Sequence, residues 1–135
     1  MTTFTPPQFI TPDTMPNLPG YTQVVRVSGG QTIYISGQIA LDPAGQVVGP
    51  GDLHAQTVQI FKNLDAALAA AGATFQHVVK LSYYMLDISQ IPVVRSVRDQ
   101  YVNTQQPPAS TAVEVRRLFR DDLLIEVEAI AVIPV

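Results

Sequence analysis

The sequence predicts an α+β domain, a sheet with two helices on one face, built in the order β-β-α-β-α-β-β. Three observations predict it. Residues 53–71 carry one apolar stripe of helical period, and residues 90–103 carry a weaker one. Segments rich in alternating or β-branched residues flank and separate these helices. The chain has 135 residues, enough for one domain and short for two.

The elements follow in order. Residues 1–19 hold Pro6, Pro7, Pro12, Pro16 and Pro19 and read as an extended, irregular extension to a domain spanning 1–135. Val25 and Val27 alternate with Arg26, Gly29-Gly30 turns the chain, and Ile33 and Ile35 alternate with Tyr34 and Ser36, so 21–39 reads as a hairpin. Asp42, Pro43 and Gly45 mark a turn. Asp52 is placed to cap the first helix, whose stripe is Val58, Phe61, Leu64, Leu68 and Ala71, and Gly72 to end it. Residues 77–86 read as a central strand because both faces are apolar. Ser89 is placed to cap the second helix, and Pro92 suits its first turn. Two strands, about 110–117 and 123–133, close the chain as an antiparallel pair around "FRDD".

Composition narrows the function. Apolar residues make up 47% and charged residues 14%, below the usual quarter of a soluble domain. The uncovered sheet face is then expected to meet other subunits. A net charge of −3 with only "RRLFR" as a basic cluster speaks against nucleic acid as a partner. There is no cysteine, and no apolar run long enough to span a membrane. The N-terminus lacks the pattern of a secretory signal, so the expected location is cytoplasmic. His54 and His77 lack metal-ligand spacing, and no glycine-rich phosphate loop or nucleophile elbow occurs. Neither metal nor cofactor is expected.

Two features remain. Glu126 and Glu128 share parity on the last strand, so their side chains leave one face with Cα atoms about 6.6 Å apart. They are either paired with Arg116, Arg117 or a neighbour's arginine, or one of them positions water or moves a proton. The glycine inside "IYISGQIALDPAG" is either a structural bend or a close backbone approach.

Separated blocks of the chain resemble the RidA/YjgF family. "YISGQIALDPAGQVVG" is similar to the family's "SGQIP" block, "GYTQ" to its "PYxQ", and "PPASTAVEV" with "LLIEVEAIAV" to its "PARSxVEV" and "EIEAIA". The segment "AAGATFQHVVKLSYYMLD" matches in order and spacing, and the resemblance covers about residues 18 to 133. It implies a chorismate-mutase-like subunit, a homotrimer with clefts between subunits, and a small-molecule ligand. Family deaminases hydrolyse 2-imino acids and enamines to 2-oxo acids and ammonia without a cofactor, and some relatives carry an endoribonuclease label.

The site carries over residue by residue. Tyr21 matches the tyrosine that closes over the ligand, Ser36 and Gly37 the cleft floor, and Glu126 the glutamate that holds water. Ala112 stands where many members have a cysteine, and Arg98 where several have an asparagine beside the cleft. Ser110 stands where the substrate-binding arginine belongs. A guanidinium grips a carboxylate with two charge-assisted bonds, whereas serine offers one neutral donor. Arg98 is either the replacement for that charge or a solvated helix residue paired with Asp99.

Overall fold

The computed structural model describes residues 4–135. Its elements are β1 (Thr5–Ile10), β2 (Val24–Ser28), β3 (Gln31–Gln38), α1 (Leu53–Ala70), β4 (Val78–Met85), α2 (Ile91–Arg98), β5 (Ala109–Glu114) and β6 (Ile125–Ile133). The α+β class and the helix–strand alternation are as expected, with one strand added at the front.

The pairing differs from expectation in two places. β2 does not pair with β3; it pairs antiparallel with β1, so part of the Pro-rich extension is a strand. Pro6 and Pro7 cannot donate to a ladder, and the register shifts between Thr5 and Gln8 where they sit. The last two strands do not pair with each other either. The four-stranded sheet runs β3-β6-β4-β5, with β6 antiparallel to both neighbours and β5 parallel to β4. The alternate residues of β6 from Ile125 to Ala131 are buried, and a strand buried on that scale takes the sheet centre. β4-α2-β5 is a crossover unit, which forces parallel strands. β4 has partners on both sides, as its composition implied.

α1 begins where Asp52 accepts from the Ala55 N–H, and buries Ile60, Phe61, Leu64 and Leu68. Val58 is only partly buried and Ala71 is exposed, so the stripe is narrower than its spacing suggested. α2 ends at Arg98, five residues short of expectation. Ser89 does not cap it; the residue before α2 is Gln90, with no side-chain cap. Asp87 instead caps a short 3₁₀ turn, accepting from the Ser89 N–H. Phe61, Phe75 and Tyr101 form an aromatic cluster with centroids 5.1–5.7 Å apart, Phe61 and Phe75 stacked and Tyr101 tilted against both.

Gln56 is fully buried in the first turns of α1. It donates to the carbonyls of Asp122 (2.9 Å) and Gly49 (3.2 Å) and accepts from the Leu124 N–H (2.8 Å). This amide fixes the turn that feeds β6, and therefore the start of the strand bearing Glu126. Gln56→Ala leaves three backbone groups unpaired and is expected to cost about 3 kcal/mol, since each orphan costs ~1–3 kcal/mol. Urea unfolding at unchanged m-value measures it. A loss below about 1 kcal/mol contradicts the assigned role.

Candidate functional site

Strand register assigns each candidate residue to a face. Ala112 lies opposite Tyr83, and Tyr83 opposite Val127, so these three share the helix side of the sheet. One step along, Val113, Tyr84 and Glu126 share the other face. Ser110 goes with Ala112 by parity, and Ser36 with Tyr34 on the open face. The sequence candidates therefore fall into two groups on opposite sides of one sheet.

The helix-side group shares a cavity of about 340 Å³. Tyr21, Arg98, Ser110 and Ala112 all line it. Tyr21 arrives there because Thr22, buried beside it, donates through its N–H to Pro108 O (3.2 Å) and through its hydroxyl to Pro107 O (2.6 Å). This pins the 20–23 segment to the entry of β5. Arg98 is 7% exposed, so it is not a solvated helix residue. Its Nε and Nη2 both donate to Asp99 Oδ1, at 3.0 and 2.8 Å. The expected Asp99 pair therefore exists alongside a cavity position, and the two readings of Arg98 are not exclusive. Gly20 makes room for the guanidinium: φ is +92°, and a Cβ there would stand 3.0 Å from Nη2.

The open-face group centres on Glu126. Gly37 sits in the register shift between Ile35 and Gln38, and a Cβ on it would overlap Glu126 Oε2. The carboxylate thus lies directly across the bare backbone of Gly37, which decides for a close approach over a simple bend. Glu128 accepts from the Tyr84 hydroxyl at 2.5 Å. Glu126 has no hydrogen bond or ion pair among the described residues, and Arg117 pairs with Asp121 instead. Burial, then the nearby Glu128 charge, hold the Glu126 carboxyl above the usual range. A carboxylate without a partner and with raised basicity suits the handling of a proton.

Sequence reasoning missed Gln23, Tyr83, Ile91, Val94 and Arg95 in the cavity wall. Two signals were available. Arg95 stands one helical turn before Arg98, on the same side of α2. Tyr83 shares parity with Leu81 and Met85, so it places a hydroxyl on an otherwise apolar face. Among the described residues no three His, Asp or Glu side chains converge to hold a metal, and no helix is long and apolar enough to cross a membrane.

A family model, endoribonuclease L-PSP, matches residues 13–133. Protein DfrA of Myxococcus xanthus is 40% identical over 112 residues, covering 83% of this chain and 84% of that protein. A 2-iminobutanoate/2-iminopropanoate deaminase of Mus musculus is 38% identical over 112 residues, covering 83% and 80%. Among solved structures, a Rid-family protein of unknown function from Yersinia pestis superposes with a TM-score of 0.83 at 34% identity, covering 96% of this chain and all of that one. The Escherichia coli TdcF protein with bound serine gives a TM-score of 0.67 at 29% identity, covering 76% and 81%.

Proposed function

The chain belongs to the endoribonuclease L-PSP family, the RidA/RutC group, and from that premise we propose that it binds a small 2-imino or 2-oxo acid and hydrolyses the imine to a 2-oxo acid and ammonia. The observation that carries this is the unpartnered, proton-affine Glu126 against Gly37, together with a cavity whose wall holds a buried arginine.

The two residue groups occupy opposite faces of one sheet, so a complete site takes two chains. The open face of one subunit, with Ser36, Gly37 and Glu126, meets the helix-side cavity of the next. A homotrimer closes such a head-to-tail contact. Tyr34, 78% exposed, and Val113 on that open face favour this covering.

In the reaction, Glu126 accepts a proton from water as the oxygen adds to the imine carbon. That proton passes to nitrogen to give a carbinolamine; its hydroxyl proton then moves through Glu126 to the amine, and the C–N bond breaks as C=O forms and ammonia leaves. Backbone amides near Ser36-Gly37 and Ser110 stabilise the developing charge. Tyr21 and the hydroxyls of Ser36 and Ser110 orient the ligand, and Ala112 leaves room for it. The charge missing at Ser110 comes from Arg98.

Ammonia release from 2-iminopropanoate generated in situ tests the reading. Wild type is expected to be active, and Arg98→Gln to lose about tenfold or more in affinity, the worth of a charged hydrogen bond. Activity confined to Ser110→Arg favours a second reading, a regulatory trimer that binds the ligand and does no chemistry. Ser110, which offers a carboxylate no charge, favours that reading. An endoribonuclease role fits the net charge of −3 poorly.

A further inference from the structure

Tyr83 has a position that the reaction above does not use. It is 2% exposed, and its ring forms part of the wall shared by Arg98, Arg95, Ser110 and Ala112. Its hydroxyl is buried and makes no hydrogen bond of good geometry with any described residue. A buried unpaired hydroxyl costs ~1–3 kcal/mol and calls for an explanation. Packing alone does not supply one, because a phenylalanine ring would fill the same space without the polar atom.

The neighbourhood indicates what the hydroxyl is for. It lies beside the Arg98 guanidinium. That guanidinium spends Nε and Nη2 on a single oxygen of Asp99, and Nη1 makes no carboxylate contact among the described residues. Asp99 is itself half exposed, with a side-chain exposure of 49%, so water competes for its carboxylate and weakens its hold on the buried guanidinium. Arg95 adds positive charge at the rim and has no ion pair among the described residues. Burial drives the Tyr83 phenol well above its usual range, against a smaller opposing pull from Arg98, so it stays protonated and can donate.

We propose that Tyr83 is a binding residue of this cavity: its hydroxyl donates to the ligand carboxylate that Arg98 holds, so that a helix arginine and a strand phenol together form the clamp. This rests on the reading of the cavity as a carboxylate site. It adds the second donor that Arg98 alone lacks. An O–H···O⁻ bond in a dry site is short and charge-assisted, stronger than a neutral bond. The clamp takes the carboxylate at the buried end of the cavity, where Tyr83 and Arg98 are 2% and 7% exposed.

Calorimetric titration with 2-oxobutanoate tests this on wild type, Tyr83→Phe and Arg98→Gln, with thermal unfolding of each. Tyr83→Phe is expected to weaken binding about tenfold or more, with Tm unchanged or raised because an orphaned hydroxyl is gone. Unchanged affinity in Tyr83→Phe, with weakened binding in Arg98→Gln, overturns the role of Tyr83 and leaves the carboxylate site standing. Unchanged affinity in both variants overturns both. A weakened affinity accompanied by a fall in Tm assigns the hydroxyl to the fold and also overturns the proposal.

Discussion

Glu126→Gln is expected to lower the rate of ammonia release by about 10²- to 10⁴-fold, the usual worth of a positioned acid–base group. Glutamine keeps the size and one oxygen but cannot take the proton from water. Stability is expected to move the other way. The folded carboxyl is held above its unfolded range, so it favours the fold while protonated. That contribution is complete below the ordinary carboxylate pKa and is lost as pH rises through the raised folded value. At neutral pH the charged Glu126 therefore weighs against folding, and Glu126→Gln should unfold at the same or a higher temperature than wild type. The gap between the two should shrink as the medium is acidified through that window. For the same reason the acid limb of the wild-type rate profile should lie above the usual carboxylate range. A Glu126→Gln protein that keeps its rate removes Glu126 from the chemistry, and a stability gap to wild type that does not change between pH 7 and pH 4 removes the raised carboxyl.

Gly37→Ala is expected to cost about 10²-fold in kcat, with KM little changed. The added Cβ would overlap Glu126 Oε2 and stand 2.7 Å from its Cδ, so the carboxylate must swing away. A displacement on the scale of 1 Å at a reacting group costs about that much. Gly37 is not among the glycines with positive φ, so alanine meets no backbone strain. The obstacle is the far end of a flexible side chain, which moves at small cost to the fold. The thermal midpoint should therefore stay close to wild type while turnover falls. Equal loss of turnover and stability would assign Gly37 to packing. Gly37 acts here as a positioning residue through Glu126.

Most of the architecture was legible because its signals are local. Asp52 caps α1 as its position implied, and the apolar faces of 77–86 placed that strand inside the sheet. Strand partnership was not legible. β5 and β6 are consecutive strands separated by residues 115–124, yet burial draws β6 to the centre and the α2 crossover sends β5 to the edge beside β4. A Pro-rich run signals an interrupted strand as easily as a loop, and β1 resolves that only through its partner β2. At the site, the family resemblance singled out Tyr21, Arg98, Ser110 and Ala112, and these line one cavity. The resemblance said nothing of their separation from Ser36, Gly37 and Glu126 by the thickness of a sheet. Tyr83 stayed hidden because a tyrosine in an apolar strand ordinarily reads as core.

The place of β5 at the sheet edge gives the two halves of the site different mechanical characters. β5 is bonded along one side only, and its residues from Thr111 to Glu114 are exposed. β6 is bonded along both sides over buried alternate residues. Local opening draws on segments with few buried contacts and one-sided hydrogen bonding, so β5 frays at far smaller free energy than β6. In the proposed site, the wall bearing Ser110 and Ala112 is therefore the more compliant half, while Glu126 stands on a strand held along both sides.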